Sequence, residues 1–206
     1  MKNIILDVDG TLWDTTEVVA KAWNRAISEV GGTDAIITST VLKSEFGKPM
    51  DMIANNLFHD VDEKTRALLL VQCCKHEHEA LEENSDNLLF EGVEETLIKL
   101  SEKCHLFIVS NCQSGYIELF MRKAGIEKYI TDYECFGDTG KSKGENIKLV
   151  MERNSLKDVV YVGDTQGDYE ATVFAEVPFI FAKYGFGRVE NYYLAINEFK
   201  ELLNLC

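Results

Sequence analysis

The chain has 206 residues, of which 46% are hydrophobic and 27% are charged, as in a globular protein rather than a disordered one. Its 21 basic and 35 acidic side chains give a net charge of −14, which opposes binding to nucleic acid through phosphate contacts. No apolar stretch approaches the ~20 residues that span a bilayer, and the six cysteines lack the dense spacing of a secreted disulfide framework. We therefore expect a cytoplasmic protein with no membrane or nucleic-acid partner.

The first element is a short apolar run, Ile4-Ile5-Leu6, which ends in Asp7-Val8-Asp9-Gly10-Thr11. This pattern predicts a central parallel strand that stops at a steep turn. Side chains two residues apart in an extended segment point to the same side, so Asp7 and Asp9 are expected to converge. Two close carboxylates repel each other, and the pair therefore predicts either a divalent metal or a raised pKa. An ordinary turn at the end of a strand is the alternative.

Residues 15–87 are predicted to form a helical insertion, because their apolar positions recur at helical spacing and no strand pattern interrupts them. Helices are expected over residues 16–31, 40–46 and 49–57, followed by a long helix that begins at Asp62. The long helix is expected to bury a stripe that consists of Ala67, Leu70, Val71, Cys74, His78 and Leu81.

From Leu88 onward the pattern alternates between helix and strand, which is typical of a parallel sheet with crossover helices. Strands are predicted over residues 106–109, 133–136, 159–162 and 178–181. Helices are predicted over residues 93–103, 145–153 and 168–175, with a further one capped by Ser114 that ends at Gly125. Residues 1–14 and 88–206 are thus predicted to form an α/β core, a doubly wound (Rossmann-like) parallel sheet, and residues 15–87 a small inserted four-helix cap.

Polar side chains follow several of the predicted strands where each strand ends. Ser110 and Asn111 follow one strand, Asp164 follows another, and Asp168 comes one helical turn later. A lysine, Lys143 or else Lys141, lies in the loop before a helix. Each residue alone fits a turn, a helix cap or an exposed charge. Because ligands bind outside the carboxyl ends of parallel strands, their joint occurrence predicts one active site.

Together these residues resemble the four motifs of the haloacid dehalogenase (HAD) superfamily of aspartate-nucleophile phosphohydrolases. The motifs stand here as Asp7-Val8-Asp9-Gly10-Thr11-Leu12, Val109-Ser110-Asn111, Gly140-Lys141-Ser142-Lys143-Gly144 and Gly163-Asp164-Thr165-Gln166-Gly167-Asp168. The helical insertion resembles the cap of the phosphoglycolate phosphatase and beta-phosphoglucomutase branch. The resemblance implies a Mg²⁺-dependent phosphatase that hydrolyses a small phosphorylated metabolite (phosphoglycolate, a sugar phosphate or a nucleotide) through an aspartyl phosphate, as a monomer or homodimer.

The resemblance also implies the roles of the catalytic residues. Asp7 is expected to attack phosphorus, and Asp9 to donate a proton to the leaving oxygen and later to accept one from water. Thr11 is expected to fix the loop that carries Asp9. Ser110 and the backbone amide of Asn111 are expected to donate to the phosphoryl oxygens.

The resemblance implies a lysine, a metal and a specificity loop as well. Lys143, preferred over Lys141, is expected to neutralise the transition state. Mg²⁺ is expected between Asp7, Asp164 and the backbone carbonyl of Asp9, with Asp168 positioning the lysine or a metal-bound water. In the insertion, Gly47 and Lys48 are the candidate specificity loop that binds the substrate.

The pattern departs from the resemblance at two positions and leaves alternatives open. No proline follows the lysine of the third motif, and Val19 stands where mutases of the family carry a histidine, which favours a phosphatase over a phosphosugar mutase. A phosphoaspartate signalling switch and a catalytically silent binding protein are the other hypotheses. Zinc at Cys73, Cys74, His76 and His78 is disfavoured, because no second pair of ligands stands nearby, and Cys74 and His78 are instead expected in the cap core.

Overall fold

The computed structural model describes residues 2–205, and a single parallel sheet is formed within them. Its strands are β1 (Asn3–Leu6), β2 (His105–Ser110), β3 (Ile130–Cys135), β4 (Val159–Gly163), β5 (Phe179–Ala182) and β6 (Leu194–Ile196). They lie in the order β3-β2-β1-β4-β5-β6, and each neighbouring pair is parallel. The predicted α/β fold is therefore confirmed, with β1 in the interior of the sheet between β2 and β4.

The helices divide between an inserted group and the crossovers of the sheet. The inserted helices are α1 (Thr16–Val30), α2 (Ser39–Glu45), α3 (Met50–Leu57) and α4 (Glu63–Glu83). The helices of the sheet region are α5 (Val93–Ser101), α6 (Tyr116–Ala124), α7 (Phe136–Thr139), α8 (Lys143–Arg153) and α9 (Gln166–Ala175). The 3-10 helices are Glu127–Tyr129 and Phe199–Asn204.

Alternate residues of β1 and β2 enter two different apolar clusters, as the period of a strand requires. Ile4 and Leu6 pack in a cluster with residues of α1, α4, α5 and α6. Ile5, between them, packs in the other cluster with Phe107 and with Ile147 of α8. Both faces of the sheet are thus covered, which is why these strands read as continuous apolar runs in the sequence.

The first apolar cluster runs from the sheet into the insertion without a break. It joins Leu6 of β1 to Trp23 of α1 and Leu69 of α4, all of which are fully buried. Helices α1 to α4 form without a strand among them, as expected. The division into a core of residues 1–14 and 88–206 and a cap of residues 15–87 stays a prediction.

The structure corrects the predicted buried stripe of α4. Val71 is 60% exposed and Ala67 is also exposed, whereas Leu81 is buried as expected. The buried residues of α4 are Leu69, Cys73, His76, Glu77 and Leu81. Cys73 and Cys74 are adjacent, and both fit an apolar face of the helix. The predicted face includes Cys74 instead of Cys73, which turns it by one residue, or about 100°, around the helix axis.

Two further differences concern elements at the carboxyl half. Ser114 does not cap α6, which starts at Tyr116 after Gly115 in a left-handed conformation with φ of +83°. Strand β6 and the last 3-10 helix were not predicted, because a three-residue strand at a sheet edge is too short to show a period. None of the helices within residues 2–205 is long and apolar enough to cross a bilayer.

Candidate active site

A buried lysine lies between two buried aspartates at the carboxyl end of the sheet. Lys143 Nζ donates to Asp7 Oδ1 at 2.8 Å and to Asp168 Oδ1 at 2.5 Å, and all three side chains are at most 3% exposed. Burial lowers the pKa of Lys143, but the carboxylates of Asp168 and Asp7 together raise it above its usual value. Lys141 is exposed. The structure therefore brings Lys143, and not Lys141, to the predicted site.

The helices that carry Lys143 and Asp168 begin with capping boxes, which fix where these side chains point. Ser142 and Glu145 exchange hydrogen bonds at the start of α8. Thr165 and Asp168 do the same at the start of α9, so that Asp168 Oδ2 accepts from the backbone and hydroxyl of Thr165 while Oδ1 accepts from Lys143. Asp168 thus holds both a helix end and the lysine.

Asp164 follows β4 directly, and its carboxylate accepts hydrogen bonds from a backbone N–H group and from a hydroxyl group. Its Oδ2 accepts from the backbone N–H of Phe186 at 2.7 Å, and its Oδ1 accepts from the Thr11 hydroxyl at 3.3 Å. A Cβ added at Gly10, where φ is +81°, would lie 2.3 Å from Asp164 Oδ2, so the close approach requires glycine. Thr11, expected to fix the loop of Asp9, holds Asp164 through its side chain.

The carboxylates of Asp7, Asp164 and Asp168 form a group that could hold a metal ion. One oxygen of each lies within 4.8 Å of the others, and all three are buried. Burial raises the pKa of Asp7 to about 6, and burial together with the charges of Asp168 and Asp7 raises that of Asp164 well above its usual value. Asp7 Oδ2 is buried and has no hydrogen-bond partner within residues 2–205. Three carboxylates this close together repel one another, and an all-oxygen donor set of this kind fits a hard divalent cation, which would relieve the repulsion.

Asp9 is turned away from this group of carboxylates. Its Oδ1 accepts from the hydroxyl of Tyr116 at 2.6 Å, from Trp13 Nε1 at 3.1 Å and from the Thr15 hydroxyl at 3.5 Å. Burial is the main cause that raises the pKa of Asp9 to about 8, and the charges of Asp7 and Glu77 add to it, while the Tyr116 hydrogen bond opposes it. A carboxyl group with this pKa carries a proton at neutral pH and can donate it. The Asp9 side chain is thus not part of the group of carboxylates that could hold a metal, and the expected role of its backbone carbonyl stays a prediction.

The second predicted group connects the sheet to the insertion. Ser110 is buried at the end of β2, and Asn111 Nδ2 donates to the backbone carbonyl of Gly47 at 2.7 Å. Gly47 has φ of +91°, and a Cβ there would approach Thr165 Cγ2 to 3.0 Å, so the loop packs tightly against the sheet. Lys48 also lines the site, but its Nζ is paired with Glu45 at 2.9 Å.

Asp7, Asp9, Ser110, Asn111, Gly47 and Lys48 share one cavity, whose free volume is about 20 Å³. That is about the space of one water molecule. The enclosed space in this structure is therefore smaller than a phosphate ester.

Among the residues that line the cavity but were not predicted to belong to the site are Glu77, Gln113 and Tyr116, whose side chains can form hydrogen bonds. Tyr116 could not be assigned because its partner, Asp9, lies 107 residues away in the chain. Glu77 could have been identified from the sequence. It lies four residues from both Cys73 and Leu81, so its acidic side chain is on the same helix face as these two buried residues of α4.

The cysteines and histidines of α4 are not assembled into a common site. His76 is buried, and its Nε2 lies 2.8 Å from Glu29 Oε2. Cys73 is buried and Cys74 only partly so, and burial raises the pKa of the Cys74 thiol to about 12, which keeps it protonated. In the part of the chain that the structure describes, the aspartate group is the one cluster with metal-ligand geometry.

The model of the haloacid dehalogenase-like hydrolase family matches residues 4–182. A phosphoglycolate phosphatase of Vibrio parahaemolyticus is 25% identical over 211 residues, which cover 92% of this chain and 87% of that protein.

Solved structures share the fold over nearly their whole length. A predicted phosphoglycolate phosphatase of Haemophilus somnus has a TM-score of 0.88 at 19% identity, with 100% of this chain and 97% of that chain covered. A variant of CbbY from Rhodobacter sphaeroides, solved in complex with xylulose 1,5-bisphosphate, has a TM-score of 0.81 at 17% identity, with 98% and 96% covered.

Proposed function

From its membership of the haloacid dehalogenase-like hydrolase family, in which the chain is a phosphatase, we propose that it hydrolyses a small phosphate monoester. We propose further that the reaction uses Mg²⁺ and passes through an aspartyl phosphate on Asp7. The single observation that carries the proposal is the state of the Asp7 carboxylate. Its Oδ1 is held by Lys143, while Oδ2 is buried without a hydrogen-bond partner in the described residues. An oxygen that is fixed in direction and free of donors is suited to attack phosphorus.

In the first half of the reaction, Asp7 Oδ2 forms a bond to phosphorus and the bond from phosphorus to the ester oxygen breaks. The proton of Asp9 passes to the departing oxygen, so that an alcohol leaves. Trp13, Thr15 and Tyr116 hold Asp9 Oδ1 and therefore orient the carboxyl group for this transfer.

In the second half, water attacks the phosphorus of the aspartyl phosphate and Asp9 accepts its proton. The bond between phosphorus and Asp7 Oδ2 breaks, and inorganic phosphate leaves. Lys143 carries the positive charge that offsets the phosphoryl oxygens in both halves, and Asp168 keeps it in place.

Asp7, Asp164 and the backbone carbonyl of Asp9 are the groups that would hold Mg²⁺, which when bound supplies positive charge against the phosphoryl oxygens. Ser110 and the Asn111 backbone amide are proposed to donate to those oxygens, with the Asn111 side chain tied to Gly47. Gly47 and Lys48 are proposed to contact the leaving group, because they line the same cavity.

The test compares the natural protein with Asp7→Asn in Mg²⁺-dependent hydrolysis of p-nitrophenyl phosphate. We expect a loss of at least about 10³-fold in kcat, as is typical of removing a nucleophile. Asp34→Asn, an exposed aspartate, is the matched control and should keep natural activity. After a rapid acid quench, mass spectrometry should find one phosphoryl group on the peptide that contains Asp7. Undiminished turnover in Asp7→Asn would contradict the proposal.

The other hypotheses have less support. The phosphosugar mutase hypothesis requires a group to return phosphate to sugar, and Val19, at the matching position, is a buried apolar residue of α1. A receiver-type switch carries its aspartate after the third strand, whereas Asp7 follows β1. A phosphorylated protein that persists for minutes without releasing phosphate would favour the switch.

A further inference from the structure

Glu77 is a buried acidic residue of α4 that reaches the active-site cavity from the side of the insertion. It is 3% exposed and lines the same cavity as Asp7 and Asp9. Its Oε2 accepts from Trp23 Nε1 at 2.7 Å, and its Oε1 accepts from Gln113 Nε2 at 2.9 Å. The catalytic steps described above do not use it.

Both protein partners of Glu77 are donors, so both carboxyl oxygens act as acceptors. A carboxylate offers about four lone-pair sites, and the protein uses one on each oxygen. Each Glu77 oxygen therefore keeps lone-pair sites that the protein does not use, and a donor on a substrate, such as a hydroxyl or an ammonium group, can bind there.

The cations near the cavity are already paired. Lys48 Nζ lies 2.9 Å from Glu45, and Lys143 lies between Asp7 and Asp168. A leaving group that ends in a carboxylate would face Glu77. The charge of Lys48, which is proposed to contact the leaving group, is already offset by Glu45, and Lys143 serves the phosphoryl oxygens. Like charges at close range inside a protein repel strongly.

We propose that Glu77 is the specificity-determining residue of this site, and that it selects phosphate esters whose leaving group presents a hydroxyl or ammonium donor over esters whose leaving group presents a carboxylate. The substrate class is therefore a small phosphorylated alcohol or amino alcohol. This assignment rests on the proposed phosphatase function. Trp23 and Gln113 act as positioning residues, because they hold the two oxygens of Glu77.

The test uses three two-carbon esters that differ only in their terminal group: phosphoethanolamine, 2-hydroxyethyl phosphate and 2-phosphoglycolate. Their kcat/KM values are measured with Mg²⁺ near pH 8 for the natural protein, for Glu77→Gln and for Glu83→Gln. Glu83, at the end of the same helix and exposed, is the matched control for loss of one negative charge.

The natural protein should prefer the ammonium and hydroxyl esters to 2-phosphoglycolate by ~10-fold or more, the usual size of a hydrogen bond to a charged group. Glu77→Gln should reduce this preference by ~10-fold, and Glu83→Gln should keep it. Circular dichroism verifies that each variant is folded. A folded Glu77→Gln protein with the natural preference would overturn the assignment.

The natural protein by itself also decides the question, so the test does not depend on how Glu77→Gln folds. Equal rates on the three esters, or a preference for 2-phosphoglycolate, would overturn the assignment while leaving the phosphatase function intact. No Mg²⁺-dependent turnover of these esters or of p-nitrophenyl phosphate would overturn the proposed function and the assignment together.

Discussion

Glu77→Gln should change how the stability of the protein depends on pH. Burial raises the pKa of Glu77 from its usual value of 4.5 to about 7, against the hydrogen bonds from Gln113 and Trp23, which lower it. Between these two values the folded protein binds a proton at Glu77 that the unfolded chain does not. The free energy of unfolding that Glu77 contributes is therefore fully present below about pH 4.5 and is lost as pH rises toward 7.

The size of the effect follows from the interval between the two pKa values. Each pKa unit corresponds to about 1.4 kcal/mol, so the interval from 4.5 to about 7 is worth about 3 kcal/mol. Glutamine is neutral at every pH and close in shape to the protonated acid. Glu77→Gln should thus resemble the natural protein near pH 5 and be more stable by up to about 3 kcal/mol near pH 8, or roughly 6–12 °C in Tm.

Urea unfolding of both proteins at several pH values between about 5 and 8 measures this difference. The charge of Glu77 also raises the pKa of Asp9, so Glu77→Gln lowers the Asp9 pKa, and the Asp9 titration is measured separately in each protein before the two curves are compared. Glu83→Gln, an exposed substitution, should give a curve parallel to that of the natural protein. If the curves of Glu77→Gln and the natural protein stay parallel from pH 5 to pH 8, Glu77 is not held at a raised pKa and the reasoning fails.

Three further predictions concern the charged group around Asp7. Lys143→Met should lower kcat by at least ~10²-fold, because the negative charge of the transition state loses its cation, whereas Lys141→Met should keep the natural kcat. Steady-state kinetics measures both values, and a larger loss of kcat in Lys141→Met than in Lys143→Met would contradict the assignment. Asp168→Asn should lower the free energy of unfolding by about 3–5 kcal/mol, since it breaks a buried ion pair and removes an acceptor in the helix cap; a free energy of unfolding within about 1 kcal/mol of the natural value would contradict this. Millimolar Mg²⁺ should raise the Tm of the natural protein but not that of Asp164→Asn, as scanning calorimetry would detect; equal shifts in both would exclude Asp164 as a ligand.

The elements of the sheet were predictable because their signals are local. The apolar run of β1 ends in Asp7, and the strand is central and parallel as its composition indicates. Residues at the carboxyl ends of parallel strands must lie at one edge, so Ser110 and Asp164 could be assigned to the same site as Asp7 without any coordinates. The expected start of α8 likewise favoured Lys143 over Lys141.

The buried stripe of α4 was the weakest point of the sequence analysis. Cys73 and Cys74 both fit an apolar face, and the pattern does not distinguish two registers that differ by one residue. Packing against α1 decides the register, because Trp23 of α1 donates to Glu77 and both side chains are buried. The error mattered, since the wrong register turns Glu77 away from the cavity.

The sequence by itself determined the fold class, the order of the strands from β1 to β5 and which polar residues lie at the edge of the sheet. Those properties depend on periods of two and 3.6 residues and on strand ends, which short segments carry. Only the tertiary structure decided which side chains surround Asp9 and what faces the substrate from the insertion. Tyr116 meets Asp9 across 107 residues, and Gln113 meets Glu77 across 36. Such contacts depend on how whole helices pack against the sheet, and no local pattern specifies the distance between two segments that are far apart in the chain.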